Sequence, residues 1–579
     1  MSFEVTEERK AYLEATGKVI LNACPGSGKT TTIAHKLLRL VQEWNANHDR
    51  AGGILCLSFT NVAKNEIAEK FREISGFPLN YPHKIATIDS FVNTNITLPY
   101  CHKILNVGKR FRIIDDTSYI DRLFENNWPF KKLYSGLTYR FAPSKIDHTL
   151  TGGISWDGHD KSSDADFVKY GTAVKDIQFK AGLLKTSDSA LIALQILQKF
   201  PQLSKYLSTR FSYLIIDEAQ DTSEIQHSLL AELLKGGLQH LDLVGDPYQC
   251  LYQWRDASPD LFLEKYDDKE NWQGLSLSEN RRSTQKIVDI FSPLRRKGEK
   301  PIICSNNKDE DFPLHILKYP VGNHAAIIPI YEKLCTDCLC TKNRILVRGN
   351  TLRNALLGKH SSFEPWNNNI PYLLIEAKIH LESNEIKDAV RKIKRLLLGL
   401  LNPELNFQDL KTKEDESQGD HDLHASIFIL IRGLPNFGLS IKQWTKETQE
   451  YLKIFLNLGA IPDFGIRKKT SSSFDTKTLE HPVNQYFKKA TTDSNLPVTT
   501  IHQVKGMTFD SVLLILSENN SGQNISLDHL VEPEDMPSEK QRLIYVGISR
   551  PQKLLCLGIP NTYTDDALKV KFGPGIIIL

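Results

Sequence analysis

A short glycine-bearing segment near the amino terminus holds the first residues whose types and spacing could do chemistry. It reads A-C-P-G-S-G-K-T from Ala23 to Thr30, after an apolar run at 18–22 and before a helical pattern. Glycines in such a loop let backbone N–H groups curl around phosphate oxygens, and the following helix N-terminus favours an anion. Lys29 can reach the β- and γ-phosphates, and Thr30 can hold Mg²⁺. The pattern therefore predicts a nucleoside-triphosphate site formed by Ala23, Pro25, Gly26, Ser27, Gly28, Lys29, Thr30 and Thr31.

Two adjacent acids follow a second apolar run and could complete that site. Residues 213–216 (YLII) are typical of a buried strand, and Asp217 and Glu218 come directly after it. Asp217 suits the Mg²⁺ of a phosphate-binding loop, and Glu218 suits a general base for the attacking water. The alternative is an acidic helix N-cap, since Asp and Glu are favoured there in any protein. The strand before the acids and the loop upstream favour the catalytic interpretation.

Further segments with distinctive spacing follow along the chain. They are ILCLSFTNVAKNEIAEKF (54–71), TIDSF (87–91), DEAQD (217–221), LVGDPYQCLYQWRDA (243–257), LSENRRST (277–284), RILVRGN (344–350), VTTIHQVKGMTFD (498–510) and EKQRLIYVGISR (539–550). Together with the loop, and in this order, they resemble the superfamily 1A DNA helicases of the UvrD/Rep/PcrA type. The compact design is also similar to helicase subunits of bacterial anti-phage defence such as that of Gabija.

The resemblance implies a set of residues for hydrolysis of ATP between two domains. Gln249 would sense the γ-phosphate, and Arg282 and Arg550 would be arginine fingers from the opposite domain. Such guanidinium groups neutralise charge on the transferred phosphoryl group. The predicted catalytic residues are Lys29, Asp217, Glu218, Gln249, Arg282 and Arg550. The implied metal ligands for Mg²⁺ are Thr30 and Asp217.

The same resemblance implies contacts to single-stranded or tailed duplex DNA. Aromatic rings in such proteins stack on bases, which contributes ~1–3 kcal/mol per base whatever the sequence. The implied DNA contacts are Phe59, Thr60, Asn61, Ser90, Phe91, Tyr252, Trp254, His502 and Lys505. Two alternatives stay open: Tyr252 and Trp254 could be core aromatics, and His502 and Lys505 could lie at the domain interface.

Departures from the family's pattern cluster on recognition of the nucleoside. Arg281 stands where relatives have a tyrosine that stacks on adenine, and Thr508 replaces a glutamate that contacts the ribose. No glutamine precedes the loop, because the first in the chain is Gln42. ATP is therefore implied by resemblance, while relaxed selection of the base is left open.

The secondary-structure elements that must position these residues are separated by long insertions in the sequence. Far more residues separate Lys29 from Asp217, and Arg282 from Lys505, than the ~30 of one strand–helix–strand unit. The fold class predicted is α/β, with two RecA-like P-loop domains of parallel sheets flanked by helices, each carrying a mostly helical insertion. The predicted boundaries are 1–91 and 208–280 for the first domain, 92–207 for its insertion, 281–351 and 493–579 for the second domain, and 352–492 for its insertion.

Composition excludes several classes of protein. The 579 residues are 40% hydrophobic and 24% charged, with 72 Lys and Arg against 69 Asp and Glu. These values exclude a disordered chain, a collagen-like fibre and a small disulfide scaffold. The charged amino terminus does not match a signal peptide, and no apolar run approaches the ~20 residues of a membrane span. A reduced cytoplasmic protein with no membrane partner is expected.

One local cluster of cysteines, Cys335, Cys338 and Cys340, could hold a metal. Structural metal sites want four ligands, usually as two pairs, and the chain has no second C-x-x-C. Packing near the end of a helix is the favoured interpretation.

Three functions are compatible with these patterns. The first is an ATP-dependent DNA helicase or translocase, moving 3′ to 5′, in DNA repair or anti-phage defence. The second is a DNA-sensing regulatory subunit of a nuclease complex, gated by ATP and unwinding little, with a separate nuclease subunit as partner. A nucleoside triphosphatase without DNA would leave the FTN, WRDA and HQVKG segments as accidents of sequence.

Overall fold

In a computed structural model, the chain is described over most of its length and divides into two compact units. Unit 1 comprises Met1–Lys318, Cys335–Asn343 and Ile501–Leu579, and unit 2 comprises Tyr319–Leu334 and Arg344–Thr500. The described residues are 3–47, 52–114, 118–125, 127–251, 257–305, 312–356, 365–382, 386–402, 409–410, 413–414, 417, 420–457, 464–466, 476–487 and 496–579.

The described strands and helices alternate along most of the chain. The strands are β1 (Lys18–Ala23), β2 (Gly53–Ser58), β3 (Lys84–Thr87), β4 (Arg112–Ile113), β5 (Ile146–His148), β6 (Ile154–Trp156), β7 (His159–Asp160), β8 (Leu183–Leu184), β9 (Phe211–Ile216), β10 (His240–Gly245), β11 (Gln273–Leu277), β12 (Glu279–Asn280), β13 (Ile303–Cys304), β14 (His315–Tyr319), β15 (Asn343–Val347), β16 (Val498–Thr500), β17 (Phe509–Ile515), β18 (Pro551–Pro560) and β19 (Ile577–Ile578). The α-helices are Glu7–Glu14, Lys29–Asn47, Asn61–Ser75, Ile88–Val92, Leu98–Tyr100, Ser118–Glu125, Trp128–Leu133, Ser135–Arg140, Ala165–Lys180, Thr186–Lys199, Pro201–Arg210, Glu224–Lys235, Pro259–Asp267, Gln285–Phe291, Ile328–Asp337, Asn350–Leu356, Ile370–Glu382, Ile386–Leu401, His421–Gly433, Ile441–Phe455, Val483–Phe487, Glu539–Ile548 and Asp565–Phe572.

A six-stranded parallel sheet organises the first half of unit 1. Its strand order is β11-β1-β10-β9-β2-β3, and all neighbours run parallel. Both faces are covered, because Ile20 packs into one buried cluster while Val19 and Leu21 pack into another. The carboxyl ends of parallel strands meet at one edge, where ligands bind in such sheets. Residues just after β1, β9 and β10 are therefore brought together.

The segment between β3 and β9 combines helices with short strands. Strands β5, β6 and β7 form a three-stranded antiparallel sheet, and β4 pairs with β8. Helix Ala165–Lys180 buries Phe167, Tyr170 and Val174 in a local aromatic-rich cluster. Helices thus make up most, but not all, of this segment, and the domain boundaries given above stay predictions.

Unit 1 also contains part of a second parallel arrangement, in which β17, β18, β14 and β19 are successive neighbours. The β17–β18 and β14–β19 pairs are parallel. In unit 2, β15 pairs in parallel with β16. The predicted α/β class with parallel sheets flanked by helices is confirmed.

Unit 2 has its own core, formed where helices surround two buried tryptophans. Trp366 and Trp444 are 1% and 0% exposed, and their ring centroids lie 5.8 Å apart. Trp366 Nε1 donates a hydrogen bond to Thr445 Oγ1 at 2.9 Å, so its polar edge is satisfied. Over the described residues of both units, none of the helices has the length and apolarity that crossing a bilayer requires.

Candidate nucleotide-binding site and DNA-facing segments

The loop between β1 and helix Lys29–Asn47 adopts a conformation that depends on glycine. Gly26 and Gly28 have φ of +72° and +81°, which L side chains rarely adopt. A Cβ on Gly26 would also lie only 2.6 Å from Arg282 Cβ. Lys29 Nζ donates to Ala23 O at 3.2 Å, so its ammonium already folds back over the loop. The loop backbone is thus compatible with close approach of a phosphate, and the predicted nucleotide contacts stay predictions.

Hydrogen bonds fix the other residues of the phosphate-binding loop. Ser27 Oγ donates to Cys24 O at 2.8 Å, and Pro25 O accepts from Asn280 Nδ2 at 2.6 Å. Thr30 and Thr31 open the helix and are half-buried. Asn280 was not among the predicted site residues, although it lies inside the quoted L-S-E-N-R-R-S-T segment. Its amide ties the loop to the segment that carries Arg282.

Asp217 lies at the end of β9, where a metal ligand is needed. Its side chain is buried, and Oδ1 has no hydrogen-bond partner among the described residues. Burial, followed by the neighbouring Glu218 carboxylate, raises the pKa of Asp217, while Lys29 opposes the shift. A buried carboxylate with one unsatisfied oxygen is stabilised when a cation binds to it. This donor set therefore fits Mg²⁺, with Thr30 contributing a hydroxyl.

Glu218 occupies a left-handed backbone position, with φ of +54°. Its Oε2 accepts from Gln220 Nε2 at 2.5 Å and lies 3.7 Å from Lys505 Nζ. Burial acts to raise the pKa of Glu218, but Lys505 and then Lys29 outweigh it, so the pKa is lowered. The carboxylate is therefore ionised at neutral pH, which a general base requires. Gln220 is an orienting partner that the sequence did not single out.

A continuous series of hydrogen bonds connects Arg550 to Asp246, the residue that follows β10. Arg550 Nη2 donates to Gln249 Oε1 at 2.6 Å, and Gln249 Nε2 donates to Asp246 Oδ2 at 2.7 Å. Tyr545 Oη donates to the same Asp246 oxygen at 3.2 Å. Asp246 and Tyr545 were not predicted, although both lie in quoted segments. The network joins the predicted γ-phosphate sensor directly to a predicted arginine finger.

Arg282 and Arg550 lie close enough to repel one another. Burial, followed by the Arg282 charge, lowers the pKa of Arg550 to about 9, and burial lowers the pKa of Arg282 to about 10. Arg282 Nη1 donates to Ser549 O at 3.1 Å, which fixes it beside the residue preceding Arg550. Two guanidinium groups this close together favour binding of an anion such as a phosphate.

We call the surroundings of Arg281 the nucleoside side, because the resemblance implies that this residue lies near the base. This side contains ion pairs with residues near the amino terminus. Arg281 Nη2 lies 2.9 Å from Glu4 Oε2 and 3.1 Å from Glu279 Oε2. Arg9 Nη2 donates to Ser27 O at 2.9 Å and so contacts the loop from that side. The helix Glu7–Glu14 thus places an arginine beside the phosphate-binding loop.

The FTN corner retains an accessible surface. Phe59 is half-buried, while Thr60 and Asn61 are exposed at the start of helix Asn61–Ser75. Thr60 Oγ1 caps that helix by accepting from Ala63 N at 3.1 Å. Ser90 is also exposed. All four residues are at least partly accessible to solvent, so contact between them and DNA stays a prediction.

Two residues predicted to contact DNA, Phe91 and Lys505, are covered by other side chains in the structure. Phe91 is 3% exposed and packs edge-on against Phe211 at a centroid distance of 5.9 Å, so its ring cannot stack on a base. Lys505 forms an ion pair with Asp221 instead of facing solvent. His502 is half-buried on the turn just before it. Tyr252 and Trp254 lie outside the described residues.

The three cysteines lie at and just after the end of helix Ile328–Asp337 and make local contacts. Cys335 Sγ lies 3.1 Å from Ser511 Oγ, and Cys340 Sγ donates to Cys338 O at 3.6 Å. Burial raises the pKa of the Cys340 thiol to about 12, which disfavours the thiolate that metals bind. Where the structure describes the chain, three or more His, Cys, Asp or Glu side chains nowhere gather in a metal-binding group.

The parallel sheet, the glycine-bearing loop after β1 and the acids after β9 together have the features of a P-loop nucleoside triphosphatase. Comparison with known families gives the next step. The family described as the UvrD/REP helicase N-terminal domain matches residues 5–270, and the UvrD-like helicase C-terminal domain matches residues 439–561. The chain belongs to the UvrD/Rep/PcrA-like superfamily 1A helicases, whose domains are RecA-like, so the recognition made from the motifs is confirmed.

Curated relatives cover almost the whole chain. The ATP-dependent DNA helicase PcrA of Staphylococcus aureus strain Mu50 is 20% identical over 626 residues, covering 95% of this chain and 82% of the relative. The protein of the same name from Staphylococcus epidermidis is 20% identical over 642 residues, covering 98% and 84%. Membership of a DNA helicase family supports helicase function, use of ATP and a DNA substrate.

Proposed function

We propose that this protein is an ATP-dependent helicase that moves 3′ to 5′ on single-stranded DNA. The observation that carries the proposal is the buried chain from Arg550 through Gln249 to Asp246, set beside the phosphate-binding loop in the same unit. It supports hydrolysis that requires both RecA-like domains, because each contributes charged groups to one site. The domain boundaries given from the sequence are part of this proposal.

Each polar group of the site has a role in this proposal. Lys29 binds the β- and γ-phosphates, while Thr30 and Asp217 would hold Mg²⁺, which neutralises phosphate charge when bound. Glu218 takes the proton of the attacking water. Arg282 and Arg550 stabilise the charge that develops on the phosphoryl oxygens.

DNA contact is proposed for the exposed FTN corner and its neighbours. Phe59, Thr60, Asn61 and Ser90 offer one aromatic face and short polar groups, which suit bases and phosphates of a single strand. His502, with Tyr252 and Trp254 beyond the described residues, extends the same proposal. Opening and closing of the domains around ATP would move this surface along the strand.

The cellular role proposed is DNA repair or anti-phage defence in the cytoplasm, with tailed duplex DNA as substrate and a separate nuclease subunit as a further partner. The second candidate, an ATP-gated regulatory subunit, shares the same ATP site and differs in unwinding. One experiment therefore tests polarity and separates the two.

The experiment offers the purified protein matched duplexes with a 3′ tail, a 5′ tail or blunt ends. We expect ATP-dependent strand separation with the 3′ tail alone, and none by Glu218→Gln. Separation from the 5′ tail alone contradicts the polarity. DNA-stimulated hydrolysis with no separation on any duplex favours the regulatory subunit.

A further inference from the structure

The turn that carries Glu218 is followed by a short series of buried hydrogen bonds. Thr222 Oγ1 donates to Ala219 O at 2.6 Å, and His227 Nε2 lies 2.8 Å from the same hydroxyl oxygen. Ala219 and Thr222 are 0% exposed, and His227 is 7% exposed. We call Ala219, Thr222 and His227 the polar ladder. All three residues belong to unit 1, and none of them was predicted as a site residue.

Each side chain of the polar ladder has a defined role as donor or acceptor. A threonine hydroxyl carries one hydrogen, and Thr222 directs it to Ala219 O, so His227 Nε2 must carry the hydrogen of the second bond. Burial, with a contribution from Lys265, lowers the pKa of His227 to about 3, so the ring is neutral at pH 7. Its Nδ1 is then an acceptor, which is buried without a hydrogen-bond partner among the described residues. The hydrogen bond of the ring in this part of the structure is therefore the one to Thr222.

The backbone of Glu218 needs support from its neighbours. Its φ of +54° and ψ of +38° are left-handed, and a residue other than glycine stays there only where the surrounding structure holds it. On the amino-terminal side, Asp217 N donates to Leu57 O at 2.9 Å, which ties the chain to β2. On the carboxyl-terminal side, Ala219 O accepts from Thr222 N at 3.3 Å and from Thr222 Oγ1 at 2.6 Å. The polar ladder therefore fixes the chain after Glu218, as the sheet fixes it before.

The histidine of the ladder lies on a helix that is itself well anchored. Helix Glu224–Lys235 begins with a capping box, in which Ser223 Oγ accepts from Gln226 N at 3.3 Å and Gln226 Oε1 accepts from Ser223 N at 3.1 Å. Leu229 and Leu233 of the helix are buried in the same cluster as the residues of the sheet face. A side chain on such a packed element is suited to hold a turn in one geometry.

We propose that Thr222 and His227 are positioning residues for Glu218, holding its backbone in the left-handed conformation that aims the carboxylate at the attacking water. This inference rests on the proposed function, because it assigns a support to the general base named there. Without the ladder, the turn after Glu218 can relax and the carboxylate moves with it. Misplacement of a catalytic group by about 1 Å can cost about a hundred-fold in rate.

A threonine in the core of unit 2 offers a matched comparison for a purely structural role. Thr445 is 3% exposed, donates to Ile441 O at 2.6 Å and accepts from Trp366 Nε1 at 2.9 Å. Loss of the hydroxyl in Thr222→Val or Thr445→Val leaves buried partners unsatisfied, so both changes should lower stability. Only a positioning role makes Thr222→Val alone reduce the turnover of folded protein.

The test measures steady-state ATP hydrolysis by the full chain with saturating single-stranded DNA. The disruptive variants are Thr222→Val and His227→Leu, which remove the hydroxyl and the ring N–H. The conservative variants are Thr222→Ser and His227→Gln, which keep a hydroxyl and a side-chain N–H donor. Thr445→Val is the matched control. Binding of a fluorescent ATP analogue gives the folded fraction of each variant, and kcat is expressed per folded molecule.

For Thr222→Val and His227→Leu we expect kcat to fall by about ten- to a hundred-fold, with KM for ATP changing less than about three-fold. Thr222→Ser and His227→Gln should keep kcat within about three-fold of wild type, because the ladder can still form. Thr445→Val should lose stability in urea and keep a wild-type kcat.

Three results would overturn the inference. They are a wild-type kcat in Thr222→Val, an equal fall of kcat in Thr445→Val, and a loss in His227→Gln as large as that in His227→Leu. Glu218→Gln keeps the two claims apart. If the wild type does not hydrolyse ATP, or Glu218→Gln hydrolyses it equally fast, the proposed function fails. If Glu218→Gln is inactive while Thr222→Val and His227→Leu turn over as wild type, the inference about the ladder alone fails.

Discussion

The phosphate side and the nucleoside side of the candidate site are built in different ways. On the phosphate side, Arg550, Gln249 and Asp246 are 1%, 5% and 1% exposed and form one hydrogen-bonded chain. On the nucleoside side, Arg281 pairs with Glu4 and Glu279, whose side chains are 68% and 32% exposed. Arg550 is therefore fully buried, whereas the Arg281 side chain is 23% exposed and pairs with partly exposed acids.

The difference in burial sets how much each half can change. Removing one partner of a buried ion pair or charged network costs about 3–5 kcal/mol, whereas an exposed pair contributes about 0–1 kcal/mol. The departure from the family's pattern at Arg281 lies among these more exposed pairs. The buried half should therefore govern catalysis, and the exposed half should have only a small influence.

The largest effect is expected for Lys29→Ala, which removes the only lysine of the phosphate-binding loop. We expect hydrolysis to fall by at least about a thousand-fold, because groups aimed at developing phosphoryl charge contribute that much or more. Lys235→Ala, on the exposed end of helix Glu224–Lys235, is the matched control. DNA-stimulated hydrolysis near the wild-type rate in Lys29→Ala would contradict the assignment of the loop.

A smaller loss is expected for Arg550→Lys, which keeps a positive charge but removes the Nη2 hydrogen bond to Gln249. Lysine cannot reproduce the planar fork of arginine, so kcat should fall about a hundred-fold while KM for ATP changes little. Arg72→Lys, on an exposed helical turn, serves as the control in the same assay. A change confined to KM would show that Arg550 binds ATP without acting in the transition state.

A buried histidine outside the phosphate-side network, His227, should make the stability of the fold depend on pH. Burial, with a contribution from Lys265, lowers the pKa of His227 to about 3, and Nε2 lies 2.8 Å from Thr222 Oγ1. A histidine whose pKa is depressed by folding contributes stability above its unfolded pKa and loses it as pH falls. Between pH 6.5 and 5 this amounts to about 2 kcal/mol.

Urea unfolding at pH 7 and pH 5 checks this prediction. His227→Gln should lose less stability than wild type across that interval, whereas His159→Gln, at an exposed position, should behave as wild type. Equal pH dependence in wild type and His227→Gln would mean that other groups control acid stability.

The smallest effect is expected for Arg281→Ala, which breaks the exposed pairs with Glu4 and Glu279. The ratio of kcat/KM for ATP to that for GTP should change by less than about five-fold, because such pairs contribute so little. The same assay on wild type measures base selection directly. A much larger change in the ratio would show that Arg281 reads the base, and the comparison between the two halves would fail.

Local patterns predicted the phosphate half because its geometry is encoded within a few residues. A strand, two glycines and a lysine define the loop, and Asp217 and Glu218 are positioned simply by ending a buried strand. Exposure is different, because it depends on contacts distant in sequence. Phe91 and Lys505 were assigned to DNA from their motifs, yet Phe211 covers one and Asp221 holds the other.

Partners that complete the network were missed for a related reason. Asp246, Tyr545 and Asn280 lie inside recognised segments, but only the fold shows that their side chains meet. The sequence did offer one indication of their importance, because each lies in a segment whose other residues were assigned roles. The domain boundaries and the DNA contacts at Phe59 and Ser90 stay predictions, since no nucleic acid defines them.

The most direct test of the account is ATP hydrolysis by the purified wild-type protein, measured with increasing single-stranded DNA. The account predicts a low rate without DNA and a saturable increase of at least about ten-fold as DNA is added, because both domains must close around the nucleotide. Hydrolysis that is equally fast with and without DNA would contradict it.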